Sequence, residues 1–189
     1  RNQAFGVPDL SSIPGLAYRQ STAEPFKINP KREALEILHD IPSPFLTGVV
    51  DDEVLLRPKV EANIETQRGC NLRCSYCTYH KDMDKITYSS LERVVSEVVY
   101  LVNKGVKRVR FVDANFSSDL DYSKEIIRAF IQKRFELRLM FELIPGFIDE
   151  ALAALLEEFS NLHPWNDITL GVGVQSIKLE TNKAMRRGI

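Results

Sequence analysis

Cysteine is scarce in this chain. Only three of its 189 residues are cysteine, and all three fall within the stretch "RGCNLRCSYCTYHK", residues 68 to 81. An odd count excludes a complete disulfide framework, which would leave one thiol over. Charge of either sign is not in excess: 25 Lys and Arg oppose 26 Asp and Glu, for a net charge of −1. That balance argues against general affinity for nucleic acid or an anionic membrane. No apolar run approaches the ~20 residues that a transmembrane helix needs. The N-terminus, RNQAFGVPDL, has no basic stretch followed by an apolar segment, so no secretory signal is read there. Sparse, clustered cysteine points instead to a reducing, cytoplasmic setting and to a metal or catalytic role. What is present, 44% hydrophobic and 27% charged residues, is the composition of a soluble globular protein.

Proline is unevenly spread. Pro8, Pro14, Pro25, Pro30, Pro42, Pro44 and Pro58 are seven of the nine. Each fixes its own φ and restricts the residue before it. Residues 1–58 therefore read as an ordered linker of turns and short extended pieces, anchored by apolar stretches such as GLAY and VLL. KREALEILHD, residues 31–40, is its one helix candidate.

From residue 59 onward a strand–helix rhythm takes over. Strands are read at 60–66, 106–113, 137–143 and 167–176. Helices are read at 89–105, 121–135 and 149–159, with another beginning at LETNKAMRR. In the first helix Ser89 and Glu92 have the spacing of a capping box, and Gly105 suits the position just past its end. Leu91, Val94, Val95, Val98 and Val102 share one face, as do Ile126, Ile127, Phe130 and Ile131 in the second. Strands alternating with helices imply βαβ units around a parallel sheet. Four such units make part of a barrel, because closed parallel barrels use about eight. The chain is thus expected to be a fragment or an open barrel.

Cys70, Cys74 and Cys77 are spaced C-x3-C-x2-C and follow the first strand. In parallel β/α folds that rim is where ligands bind. Structural zinc takes four ligands, and His80 would extend the pattern to C-x3-C-x2-C-x2-H. Iron–sulfur clusters are held by cysteine thiolates in short runs, usually four. Three would leave one iron open to a substrate or cofactor.

The spacing, with aromatic Tyr76 before the last cysteine, resembles the signature loop of radical S-adenosylmethionine (SAM) enzymes. The segments "IPSPFLTGVVD", "IETQRGCNLRCSYC", "FVDANFSSD", "FELIPG" and "GVGVQSIKLETNKAMRRG" resemble, in order, the cobalamin-binding branch of that superfamily. The resemblance implies an α/β fold, a partial (β/α) barrel with four of about six units present. Residues 1–58 would follow an upstream cobalamin-binding domain, and residues 59–189 would begin the barrel. It implies a [4Fe–4S] cluster on Cys70, Cys74 and Cys77, with SAM on the open iron, and cobalamin held outside this chain. The reaction implied is reductive SAM cleavage to a 5′-deoxyadenosyl radical, and methyl transfer to an unreactive carbon of a small-molecule or peptide substrate. A flavodoxin- or ferredoxin-type protein would supply the electron. Methylthiolation, cyclisation and ring contraction are alternative reaction types, and a zinc-binding module is the non-enzymatic alternative.

Six further residues are candidates for cofactor contact. Tyr76 would pack on the cluster or the adenine. Asp113 and Asn115, in "VDAN", stand where relatives carry a turn for the methionine amino group, although Asp113 also suits a cap. Glu142 is a carboxylate in an apolar strand and requires a partner, either SAM or a nearby Lys or Arg. Gln175 resembles a ribose contact, with Ser176 beside it suited to capping the next helix. Arg187 resembles a position near the cofactor carboxylate. His39 and His163 are assigned no role.

Overall fold

The computed structural model describes residues 9–32, 38–79 and 85–187, without the side chain of His39. Residues 33–37, half of the helix read at 31–40, lie outside the described residues, as does His80; Leu38–Asp40 form a single 3-10 turn. The chain divides into two compact units, Arg1–Leu35 and Glu36–Ile189.

The first unit is built by turns. Asp9 caps the 3-10 turn Leu10–Ser12 by accepting from the Ser11 N–H. Strands β1 (Ala17–Tyr18) and β2 (Lys27–Ile28) pair antiparallel. The Asn29 amide donates to the carbonyls of Leu10 and Ile13 at 2.7 and 2.8 Å, tying the turn to the ribbon.

In the second unit, α1 (Asp52–Leu55), capped by Asp51, follows the Leu38–Asp40 turn. Strands β3 (Ala62–Ile64), β6 (Arg108–Phe111), β7 (Arg138–Leu143) and β8 (Asp167–Val172) then form one parallel sheet in that order. Between β3 and β6 lie the short antiparallel pair β4 (Gln67–Arg68) and β5 (Thr87–Tyr88), and helix α2 (Leu91–Asn103). Helices α3 (Leu120–Gln132) and α4 (Glu150–Asn161) connect the later strands, and α5 (Leu179–Ala184) follows β8. Each crossover brings a strand beside its predecessor, which is a progressing β/α barrel wall. Within the described residues β8 pairs on one edge only, and Leu170, Val172 and Val174 are exposed along it.

Helix ends follow local chemistry. Asp119 and Asp149 cap α3 and α4 by accepting backbone N–H groups of the first turn. The capping box read at Ser89 is corrected: Ser90 is the cap, accepting from Arg93 N–H at 3.2 Å. Ser89 is instead buried, its N–H bonded to Thr66 O and its carbonyl to the Tyr122 hydroxyl. Gly105 takes φ +85° just past α2, as that helix end requires.

The two faces of the sheet differ. On the helix side, Val109, Phe111, Leu139 and Phe141 are buried against Val94, Val98, Ile126, Ile127, Phe130 and Phe159. Phe111 stacks on Phe141 with ring centroids 4.7 Å apart, and Phe116 lies 4.2 Å from Phe141. Phe45 and Leu55, from the proline-rich stretch, join this core. The opposite face carries Asn63, Arg110, Met140 and Glu142, none of them fully buried. Strand alternation thus sends one residue to the core and the next to the concave face where a site can form. No helix among the described residues is long and apolar enough to cross a membrane.

Candidate cofactor site at the strand ends

The cysteine loop is launched at Gly69. Its φ is +114°, and a Cβ there would lie 2.8 Å from the Lys85 carbonyl and 3.0 Å from Ile86 Cα. Only glycine allows the chain to turn while pressed against that backbone. The loop then folds on itself: Cys77 N–H donates to Cys74 O at 3.1 Å, and Leu72 N–H approaches Cys70 Sγ at 3.4 Å. All three thiols are free, with Cys74 buried and Cys70 and Cys77 partly so. Leu72, Ile144 and Phe147 pack around them and make their surroundings apolar. Burial pushes the Cys70 thiol above its usual range, so a thiolate here calls for compensating positive charge.

A cavity of about 200 Å3 opens over the loop, at the C-terminal ends of β7 and β8. Cys70, Cys74, Cys77, Glu142, Gln175 and Arg187 all contribute to its lining. Arg187 is 6% exposed. Its guanidinium donates to Cys74 Sγ at 3.7 Å, to the Tyr76 hydroxyl at 3.2 Å and to the Gly173 carbonyl. Its Nε is buried and has no hydrogen-bond partner among the described residues. Glu142 is held by Arg110 at 2.9 Å, so the Arg alternative for its partner is met. Its other oxygen lies over Gly171, where any Cβ would collide with the carboxylate. Gln175 adopts φ +60°, rare outside glycine, as the chain turns across the cavity.

The structure therefore brings Cys70, Cys74, Cys77, Tyr76, Glu142, Gln175 and Arg187 together. Tyr76 sits at the rim, 51% exposed. Asp113 and Asn115 are elsewhere: both are fully buried beneath the loop and line no part of the cavity. Asp113 accepts from Thr66 N–H (2.8 Å), the Thr66 hydroxyl (2.7 Å) and Gln67 N–H (3.0 Å). Burial pushes its carboxyl up to about 6, while these hydrogen bonds pull it down. Asn115 accepts from Ile144 N–H at 3.2 Å and donates to Asn71 at 3.4 Å. The Gln67 amide completes the net, donating to the Asn115 carbonyl and accepting from Ser118. Thus Asp113 and Asn115, just past β6, tie the lead-in to the cysteine loop at Thr66 and Gln67, and Asn71 within it, to the ends of β6 and β7. Ser176 does not cap α5 at the N-cap position, which Lys178 holds, but accepts from Lys178 N–H at 3.0 Å. Sequence reasoning missed Thr66, Gln67, Asn71 and Gly171; only the glycine left a trace, in the pattern GVGVQS.

The donor set can be tested against its two candidate occupants. Thiolates on one zinc ion lie within about 4 Å of one another, because each Zn–S bond is about 2.3 Å. Among the described residues no three His, Cys, Asp or Glu side chains converge to hold one metal ion. Three free thiols lining one cavity, with a buried cation beside them, suit an iron–sulfur cluster, which is held by cysteine thiolates.

The model of the Radical SAM superfamily matches residues 64–189. The chain belongs to the radical SAM superfamily. Membership in that superfamily implies a [4Fe–4S] cluster and SAM as cofactors. The chain is 29% identical over 193 residues to the cobalamin-dependent radical SAM methyltransferase TokK of Streptomyces tokunonensis, covering 95% of this chain and 27% of that protein. It is 27% identical over 163 residues to the ribosomal protein uS12 methylthiotransferase RimO of Bacteroides thetaiotaomicron, covering 82% of this chain and 36% of that one. Its fold matches TsrM from Kitasatospora setae, a radical SAM methyltransferase solved with tryptophan and a SAM analogue bound. The TM-score is 0.57 at 24% identity, over 65% of this chain and 23% of that chain. The chain thus spans roughly a quarter to a third of the relatives it matches.

Proposed function

We propose that this chain is the linker and first part of the barrel of a cobalamin-dependent radical SAM methyltransferase that acts on an unactivated carbon. The observation that carries the reading is the meeting of three free thiols, a carboxylate, an amide and a buried guanidinium around one cavity at the strand ends. Similarity to TokK across 95% of the chain supports the choice of branch. Residues 1–58 would then follow a cobalamin-binding domain. The substrate would be a small molecule or peptide and the electron donor a flavodoxin- or ferredoxin-type protein, in the cytoplasm.

Cys70, Cys74 and Cys77 would hold three irons of the cluster. When bound, the cluster and SAM supply one-electron cleavage chemistry that no side chain can provide. The protein's share is placement. Leu72, Ile144 and Phe147 keep water from the thiolates, and Glu142, Gln175 and Arg187 present polar groups to a charged amino acid and ribose.

The test is full-length protein reconstituted anaerobically with iron, sulfide and hydroxocobalamin, then supplied with methyl-deuterated SAM. Cobalamin-dependent release of 5′-deoxyadenosine together with a deuterated methyl product supports the reading. Similarity to RimO over 82% of the chain favours methylthiolation as the second reading. Incorporation of sulfur with the methyl group, without need of cobalamin, would establish it instead.

A further inference from the structure

Arg187 does more than line a wall. It lies 113 residues beyond Cys74 in the chain, yet its guanidinium donates to that residue's sulfur. The contact is fixed from several sides. Arg187 N–H bonds to Asn182 O at 2.9 Å, at the end of α5. Asn182 is itself buried, its amide donating to Ser176 O at 2.9 Å. Ser75 N–H, next to Cys74, bonds to Met185 O at 2.8 Å, so the cysteine loop and the end of α5 are stitched together twice. The guanidinium is further braced by the Gly173 carbonyl, and a Cβ on Gly173 would press within 3.2 Å of it. A cation so confined and so little exposed keeps its direction toward the sulfur.

We propose that Arg187 is a positioning residue that tunes the cluster, its N–H donation to Cys74 Sγ raising the cluster's reduction potential. The inference rests on the reading that Cys70, Cys74 and Cys77 hold a [4Fe–4S] cluster. Reduction adds one electron from a low-potential donor, taking the cluster from 2+ to 1+, with no bond made or broken. The added charge is shared by the thiolate sulfurs. A buried cationic donor on one sulfur favours the more electron-rich state, and hydrogen bonds to sulfur are among the means by which proteins set such potentials. In an apolar pocket the effect is weakly screened.

The test is an EPR-monitored dithionite titration of the full-length protein after anaerobic reconstitution, with Arg187→Met, Arg187→Gln and Arg187→Lys compared to wild type. Arg187→Met, which has no donor and no charge, is expected to retain iron and shift the midpoint to lower potential. Arg187→Lys is expected to recover part of the shift. Tyr76→Phe, which removes a neutral hydroxyl that reaches both Arg187 and the Cys74 sulfur, is expected to move the midpoint less than Arg187→Met, because the cation stays in place. If Arg187→Met loses its cluster, Arg187→Gln and Arg187→Lys carry the comparison. A wild-type midpoint in every variant that holds a cluster overturns the proposal. So does loss of iron from all three, which makes Arg187 a scaffold residue only. Absence of iron from wild-type protein would overturn the underlying cluster reading, a result distinct from an unmoved potential.

Discussion

The helix-facing side of the sheet and the cysteine loop are held together by opposite means. Phe111, Phe116, Phe130 and Phe141 interlock with ring centroids 4.2 to 6.1 Å apart and use no hydrogen bonds to do so. Such packing is spread over many contacts, and no single one specifies it. The loop instead hangs on few and particular bonds: Asp113 to Thr66 and Gln67, Asn115 to Asn71 and Ile144, Arg187 to Cys74. Its partners come from residues 29 to 113 positions apart in the chain. The first region makes the fold, and the second gives the site its shape. A mutation can therefore strike either one and leave the other.

The largest effect separates them completely. Cys74→Ala, and equally Cys70→Ala or Cys77→Ala, is expected to abolish the cluster absorbance and all reductive cleavage of SAM, since two thiolates anchor a cluster too weakly. Thermal unfolding of the apo protein should change little for Cys70 and Cys77, which are only partly buried. Iron retained at the wild-type level in a triple variant would defeat the assignment.

Phe141→Ala is the reverse experiment. The ring is completely buried and contacts both Phe111 and Phe116. Its loss is expected to cost about 3–5 kcal/mol, from lost transfer energy plus the cavity left behind. Chemical denaturation measures that cost. The fraction that remains folded should still bind iron, because Phe141 faces away from the cysteines. Iron binding lost in step with Phe141, in protein shown to be folded, would mean that the two regions are one.

Legibility divides along the same line. The four parallel strands and three crossover helices could be read because periodicity is a local signal; Val94, Val98, Ile126 and Phe130 announced their shared faces. The cysteines could be read because metal-binding loops are compact in sequence. The supporting net could not. Nothing near Gln67 or Asn71 marks a bond to residue 115, and Asp113 looks the same in sequence whether it meets a cofactor or the backbone of Thr66. Ser89 and Ser90 show the limit on a smaller scale. Either serine can cap α2, and the choice falls to Ser90 because Ser89 is drawn inward to Thr66 and Tyr122.

Asp113 provides the intermediate effect and a pH signature. Asp113→Ala strands two buried N–H groups and is expected to cost about 1–3 kcal/mol for each one left unpaired. Asp113→Asn keeps one acceptor and removes a desolvated charge, so it should cost much less. The sign of the pH effect follows from the raised carboxyl, about 6 in the fold against 3.8 as its ordinary value. Between these values the folded state binds more protons than the unfolded one, so stability falls as pH rises from about 4 to about 6. Below that window the group imposes no penalty, and above it the penalty is complete. Denaturant midpoints for wild type and Asp113→Asn across pH 4 to 7 check this. The wild-type curve should carry a downward component that the Asn variant lacks, and parallel curves would contradict it.

The smallest effect on folding is expected at Glu142. It follows Phe141 directly, so strand alternation turns it from the packed face to the concave one. Its ion pair with Arg110 is about 40% exposed on both sides. A pair so open to water contributes only about 0–1 kcal/mol to stability. Glu142→Gln should therefore melt within a degree or two of wild type and keep its iron. Binding is another matter. The carboxylate lies over Gly171 in the cavity wall, where a cationic ligand group can reach it. A hydrogen bond to a charged group is worth about 1.5–3 kcal/mol, so affinity for SAM should drop roughly tenfold or more. Calorimetric titration of SAM into reconstituted protein measures this directly. Weakened binding with intact iron and an unchanged melt places Glu142 on the cofactor; unchanged affinity leaves it as the partner of Arg110 and nothing more.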